Sequence, residues 1–396
     1  AEDLSGLVEA IGGTGNLGTV LGFHVVPAVA FAGDLAEGEQ TFDTLAGQEL
    51  TVTKNGDSVS VTDSNGNTYN VVTPDVEIEN GVVHVINGVI LPELPDTITD
   101  LALGNDNLSS LVAALEYTGL DETLADRSAE FTVFAPTNDA FTTFLDGAAL
   151  EDLDKDVVRQ VLLNHVLTGN RLSTSLKNGY VKTNATENYS GSEDDNFIDM
   201  YVYVDDDVTL NDSATVTNAD LEADNGTVHV VDEVITIPNV VDLADANPQF
   251  SNLTKALEQE DLISVLSTDV DTSPAPFTVF APNNSAFDNF IDSNDDFNNI
   301  QGVLDFNRLS DVLKYHVLPD GGVRAGDITD GIMPETVQGD TVTINTTDDG
   351  VTITDQDERV TNIVATNVTG SNGVIHILDN LILPRFRAVG GPIKIQ

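Results

Sequence analysis

The chain reads as a tandem α+β protein, and three observations carry that reading. A block of about 145 residues recurs along the 396-residue chain, each block passes from helix-period to strand-period patterning, and all six histidines fall on the repeat. FTVFAPTNDAF at 131–141 returns as FTVFAPNNSAF at 277–287. NGVVHVINGVILP at 80–92 returns as NGTVHVVDEVITIP at 225–238 and NGVIHILDNLILP at 372–384, with histidines 145 and then 147 residues apart. A third motif lies between these two: LGFHVVPA at 21–28, LLNHVLTG at 162–169 and LKYHVLPD at 313–320. His24, His165 and His316 sit in this middle motif, and His84, His229 and His376 in the closing one. The unit therefore occurs two and a half times.

Each complete unit opens on a helix. LSSLVAALEYTGLDETLA at 108–125 and FSNLTKALEQEDLISVL at 250–266 place apolar residues at helical spacing. The strand FTVFAP follows, from Phe131 to Pro136 and from Phe277 to Pro282. Its proline stops it, and Asn138-Asp139 or Asn283-Asn284 favour a turn and a helix cap. A second helix runs into the middle histidine, as in FNRLSDVLKYHVL at 306–318. The period then becomes two. TVTKNGDSVSVTD at 51–63 and TVTINTTDDGVTITD at 341–355 predict hairpins turning at Asn55-Gly56 and Asp349-Gly350. The closing strand is apolar nearly throughout and is expected to be buried on both faces. LPELPDTITD at 91–100 and IPNVVDLADANPQF at 237–250 read as short linkers stiffened by proline, so limited flexibility is expected between units.

Taken in this order and spacing, FTVFAPTNDAF, YHVLP and NGVIHILDNLILP resemble the fasciclin-like domain, over nearly the whole chain. The resemblance implies, for each unit, two packed and mainly antiparallel β-sheets with helices at one side. It also implies a non-enzymatic role in adhesion or matrix contact, in an extracellular or cell-surface location. On this reading residues 1–94 are the C-terminal part of an incomplete fasciclin-like domain. Residues 95–239 and 240–385 are complete domains, and 386–396 form a C-terminal extension. The family favours tyrosine before the middle histidine. Tyr315 keeps it, whereas Asn164 and Phe23 replace it. A partner surface that needs this tyrosine would survive only in the third unit.

Composition narrows the partners. Sixty-six acidic residues against 15 basic ones give a net charge of −51 and a pI near 4.1. Such a surface repels phosphate backbones and anionic lipid, which makes nucleic acid and bare membrane poor partners and leaves no nucleic-acid partner expected. Acid spread through every segment points to solvation in salty surroundings, as in a halophilic or marine protein. A solubilising surface is the plain reading, and a specific cation site is its rival. The absence of cysteine excludes a disulfide framework, thiolate metal sites and a cysteine nucleophile. No apolar run reaches the roughly 18 residues of a membrane span. The stretch at 20–33 is too short and holds His24 and Pro27, so direct membrane insertion is not expected. The chain opens AEDLSGLVEA without a basic and apolar leader, so any signal peptide is expected to have been removed.

The chemical candidates read mainly as structural. His84, His229 and His376 lie inside apolar strands, and His24, His165 and His316 end apolar helices, where an imidazole usually satisfies a buried partner. No cofactor is expected, and calcium is the candidate inorganic ligand. Asp63, Asn65 and Asn67 alternate as in hard-cation loops but lack the terminal bidentate glutamate. DVDTS at 269–273 and SNDDFNN at 293–299 are looser and read as solvated turns. Nine Asn-x-Ser/Thr patterns are present, as an Asn-rich chain produces by chance.

Two functional readings follow. The first is an adhesion or scaffold protein that binds other copies of itself, other surface proteins or glycans. The second is a carrier of a small apolar ligand held between helices and sheet. The first unit bears on the choice. VEAIGGTGNLGTVLGFH at 8–24 aligns without a gap on IQGVLDFNRLSDVLKYH at 300–316, yet His24 has only 23 residues ahead of it. The opening strand begins 34 and 39 residues before the middle histidine in the complete units. Either the unit starts after its strand would have ended, or LSGLVEAI at 4–11 is the opening helix and the strand is deleted. The remaining sheet should then expose an apolar edge. RFRAVGGPIKIQ at 385–396 is the expected strand donor from a second copy, making a head-to-tail polymer. The competing account is a fragment of a longer array.

Overall fold

The computed structural model describes residue 11 and residues 16–189, 196–270, 272–347, 350–388 and 391–392. Both FTVFAP segments are six-residue strands buried from end to end. Alternation explains that burial, because successive side chains of a strand leave opposite faces. In the third repeat Phe277, Val279 and Ala281 join Leu253, Phe287 and Val312 in a core shared with helices. Phe280 points the other way, into a second core with Tyr315, Ile344 and Ile353. One strand thus holds together helices on one side and a second sheet on the other, which makes each complete repeat α+β.

The chain divides into two compact units. The first is Ala1–Leu101 with Glu122–Glu130 and Glu222–Gly226; the second is Ala102–Asp121 with Phe131–Leu221 and Thr227–Gln396. In the first, five strands form an antiparallel meander in chain order: β1 (Gly38–Asp43), β2 (Glu49–Asn55), β3 (Ser58–Thr62), β4 (Thr68–Ile78) and β5 (Gly81–Ile86). The helix Leu17–Phe23 places Phe23 in a core with Leu50, Val52, Val61 and Ile90.

The second repeat contains β6 (Phe131–Pro136), β7 (Val166–Thr168), β8 (Gly179–Thr186), β9 (Phe197–Val204), β10 (Val208–Leu210), β11 (Ala214–Ala223) and β12 (Gly226–Val231). Their order in the sheet is β7-β6-β12-β11-β10-β9-β8. The third repeat contains β13 (Phe277–Pro282), β14 (Val317–Leu318), β15 (Thr343–Thr347), β16 (Gly350–Thr354), β17 (Val360–Gly370) and β18 (Gly373–Leu378), in the order β14-β13-β18-β17-β16-β15. The opening and closing strands pair in parallel, from Phe277 opposite Gly373 to Pro282 opposite Leu378. The start of β17 pairs with β16 and the rest with β18, with two register shifts between Ile363 and Val368. These bulges bend one continuous ladder into two packed layers.

Several expectations are corrected here. The closing strand is fully buried in β12 and nearly so in β18, but β5 is only partly covered. Its outer neighbour is the reason. β12 and β18 lie inside their sheets, whereas β5 stands at an edge among the described residues. The stretches at 91–100 and 237–250 are not simple linkers, because each contains the start of a helix with buried apolar residues. Asn239 caps Val240–Asp245 in a capping box with Asp242, and Val240, Val241 and Leu243 enter the third repeat's core. The β2–β3 hairpin turns on Gly56-Asp57, since Asn55 pairs with Ser58. The expected turn residue Asp349 and the segment 4–10 lie outside the described residues. Phe386, placed in the extension by the sequence, is a core residue stacked edge-on against Phe306. Beyond it, Arg387–Ala388 pairs only with Gly391–Pro392 among the described residues.

Candidate functional site

The histidines come first, because chemistry would need a free ring nitrogen. All twelve are engaged with the main chain. In the middle motif Nδ1 donates back along the helix, to Val20 O (2.7 Å) for His24, Val161 O (2.7 Å) for His165 and Val312 O (2.8 Å) for His316. Nε2 accepts from the closing segment, from the N–H of Ile90, Ile235 and Ile382 respectively. Each ring pins a helix end to its sheet. Burial pushes His165 and His316 down to about 4.

The closing-strand histidines use the opposite tautomer. Nδ1 accepts from the N–H of Asp75, Asp220 or Asn367, nine residues upstream of His84, His229 and His376. Nε2 donates to the carbonyls of Ala30, Arg171 and Val323. Asp75, Asp220 and Asn367 have φ of 56°, 61° and 60°. Such a left-handed bulge suits Asp and Asn better than other side chains. Their side-chain oxygens accept from Ala32, Ser173 and Ala325 N–H, closing a loop over the sheet. His229 stacks on Phe134 and His376 on Phe280, at 5.5 and 5.8 Å.

A second set was hidden in the NG pairs of the closing motif. Asn225 accepts from Ile98 N–H and donates to Leu124 O and Asp126 O. Asn372 does the same with Val240, Leu266 and Thr268. Each asparagine locks the opening helices against the sheet. Asn80, at the matching place in the first repeat, is exposed.

Asp63 spends its carboxylate on its own turn. Oδ1 accepts from the N–H of Asn65 and Asn67, and Oδ2 from Asn67 Nδ2 and Leu91 N–H. Asp355 repeats that pattern in the third repeat, with the Arg359 side chain as an additional donor. Tyr315 is fully buried and donates to Thr341 O, so it belongs to the core and offers no partner surface. Phe23 and Asn164 fill the same place in their cores.

The second and third repeats meet at a built polar junction that sequence reasoning missed. Arg324 Nη2 lies 3.0 Å from Glu187 Oε1, with side chains 5% and 0% exposed. Lys182 Nζ donates to Asp199 Oδ2 (2.9 Å) and to Asn367 O (3.1 Å), and Thr369 N–H donates to that same Asp199 oxygen (2.7 Å). The Tyr189 hydroxyl lies within hydrogen-bond reach of Gly370 O and Gly373 O, and the Tyr180 hydroxyl donates to Leu243 O. Burial pushes both phenols well above their usual range. Gly322 accommodates the ring of Tyr189, since a Cβ there would fall 2.3 Å from Cε2.

Two cavities among the described residues are poor hosts for an apolar ligand. A void among Phe290, Phe297, Phe306 and Leu383 holds only about 10 Å³. A larger concavity of about 250 Å³ is lined by Asp212, Asp242 and Asp245 and is acidic. Pigment-sized ligands need an apolar pocket of several hundred Å³. Exposed apolar surface gathers instead on the β4–β5 ribbon, at Val72, Val76, Ile78, Val83 and Val85.

The repeated sequence has counterparts in known proteins. The Fasciclin domain matches residues 2–92, 106–238 and 248–384. The chain belongs to the fasciclin family. Periostin of Homo sapiens is 26% identical over 362 residues, which cover 89% of this chain and 38% of periostin. Transforming growth factor-beta-induced protein ig-h3 of Oryctolagus cuniculus is 25% identical over 367 residues, covering 92% of this chain and 48% of that one. A protein of Synechocystis is 37% identical over 146 residues, 36% of this fasciclin chain and 74% of its own length. The chain thus spans less than half the length of periostin and ig-h3. The solved FAS1 domain pair from the insect cell adhesion molecule Fasciclin I aligns with a TM-score of 0.45 at 18% identity, over 71% of this chain and 98% of that one. No helix among the described residues is long and apolar enough to cross a membrane.

Proposed function

We propose that this fasciclin chain is a non-enzymatic extracellular adhesion or scaffold protein that associates by strand addition at the edge of its first repeat. One observation carries the reading: among the described residues β5 has a neighbour on one side only, and it exposes Val83 and Val85, 43% and 44% accessible. Such edges recruit another strand unless charge, proline or a bulge blunts them. Gly-Val-Val-His-Val-Ile carries no charged residue and no proline. Family membership supports the adhesive role, and histidines fully engaged with the backbone speak against proton-transfer chemistry. Phe386, at the start of the tail expected to supply the strand, is held in the core.

Beads coated with the chain test this. At about 0.5 M salt, where charges more than roughly 5 Å apart are largely screened, coated beads should cluster. Val83→Asp with Val85→Asp should keep them dispersed, since both sites are solvent-accessible and the substitutions put charge on the edge. Wild-type beads that stay dispersed at every salt concentration would remove the proposal. Clustering that ignores the double substitution would move the adhesive surface away from β5.

A further inference from the structure

We infer that the outer face of the first repeat's sheet is a binding surface for a neutral linear glycan, laid across the strands along a ladder of threonines. The surface is distinct from the β5 edge and does not rest on strand addition.

Register builds the ladder. Thr41 pairs with Thr51, Thr51 with Thr62 and Thr62 with Thr68, so β1, β2, β3 and β4 each place a threonine in one row. The row beside it runs through Thr53, Ser60 and Asn70, with Glu39 at its β1 end. Phe42, Leu50, Val52, Val61 and Tyr69 alternate with these residues and pack in the core, so the two rows face away from it. Thr41, Thr68 and Asn70 are exposed, and the others are half-buried within the rows. The Thr62 and Thr68 hydroxyls share a hydrogen bond of 3.0 Å, so neighbours in the row stand within reach of one bridging group.

Spacing and charge select the occupant. Neighbouring strands lie about 4.8 Å apart, close to the length of one sugar ring in an extended glycan. A glycan running along the row therefore sets one sugar on each threonine. Sheet twist rotates each strand against the next, which a single flexible chain can follow and a flat crystal face cannot. Every threonine offers a hydroxyl that donates and accepts, beside a methyl for the C–H face of the sugar. Asp43 and Glu49 pair next to the threonine row, and with a net charge of −51 they repel uronates and sulfated glycans. Protein partners are anchored by aromatic and aliphatic side chains, and the two rows hold none.

The other repeats agree. In the second, Tyr180 pairs with Tyr201 and Lys182 with Asp199 on the face opposite the Met200 and Val202 core. That face is spent on the third repeat, where Tyr180 donates to Leu243 O and Lys182 to Asn367 O. In the third repeat the face again carries uncharged polar rows, Thr343 opposite Thr354 and Asn345 opposite Thr352, with Val360 62% exposed at the end of the first. Hydroxyl rows stand where the face is open and are replaced where it is covered.

NMR titration of the full chain with cellohexaose, chitohexaose and a galacturonate hexamer tests the surface. At least one neutral hexamer should shift the methyl signals of Thr41, Thr51, Thr62 and Thr68, with a millimolar midpoint because neutral hydrogen bonds replace those to water. The galacturonate hexamer should shift none of them. Thr51→Val with Thr62→Val keeps shape and strand propensity but removes two hydroxyls. It should weaken binding about tenfold, read on Thr41 and Thr68. Val83→Asp with Val85→Asp should leave the titration unchanged. Silence from both neutral hexamers, or undiminished binding by the valine variant, would overturn the ladder. Equal shifts with galacturonate would overturn the neutral class of ligand. Loss of binding in the aspartate variant would move the glycan to the β4–β5 ribbon and overturn the assignment.

Discussion

At the scale of the residue, each histidine works as a link with one donating and one accepting nitrogen. Burial holds His165 and His316 at about 4, and protonation would also turn the accepting nitrogen into a donor facing an N–H. The ordinary value is near 6.5, so the unfolded chain takes the proton first. Stability from these two residues is therefore complete above about pH 6.5 and is lost progressively as pH falls towards 4. The size is on the order of 3 kcal/mol for each ring. Denaturant midpoints at pH 7, 6 and 5 should fall in that order, and His316→Gln should start lower and fall less steeply. Midpoints that hold or rise towards pH 5 would show that the rings titrate normally. The six histidines were legible in the sequence because one residue type recurs at one period. Their partners were not. Asp75, Asp220 and Asn367 differ in identity, and Asn225 and Asn372 look like ordinary turn residues beside glycine.

Among the elements, the opening strand, the helix into the histidine and the period-two hairpins could be read directly, since each has a local pattern. The start of the third repeat could not. Pro238 and Pro248 bracket its first helix and suggest a linker, while the capping pair Asn239 and Asp242 that starts it is easily overlooked. The junction of the second and third repeats was equally hidden, because Glu187 and Arg324 are 137 residues apart. That pair should dominate the coupling of the two repeats. Glu187→Gln removes a counter-charge from the buried guanidinium and should cost about 3 kcal/mol. Tyr189→Phe should cost about 1 kcal/mol. Calorimetry should show the second and third repeats melting together in the wild type and separating into two transitions in Glu187→Gln. A single unshifted transition would mean that apolar contacts alone hold the junction. Replacing both partners with leucine or methionine should be nearly neutral, because the desolvation cost disappears together with the attraction.

For the whole molecule the governing quantity is charge and where the few positive groups lie. Several of the 15 basic residues point inward or lie against buried acid: Arg324 against Glu187, Lys182 against Asp199, and Arg359 against Asp355, whose carboxylates are 0%, 5% and 0% exposed. These three basic groups are thus used to hold the fold, and with 66 acidic residues against 15 basic ones most of the acid is left unopposed. Asp245 shows the crowding locally, with burial and then Glu258, Asp242 and Asp212 raising its pKa. Added salt should separate these two populations. Surface repulsion acts through water and is screened as the Debye length falls from about 10 Å at 0.1 M to about 3 Å at 1 M, whereas the buried pairs are screened much less. The melting temperature should therefore climb by several degrees as sodium chloride rises from low to near-marine concentration. The gain should be equal in Glu187→Gln, because the surface term does not involve the junction. A melting curve that stays flat across the range would show that bound cations already neutralise the acid. Calcium would then be the ion to titrate, and a rise in melting temperature at micromolar calcium, abolished by chelator, would replace diffuse screening with discrete sites.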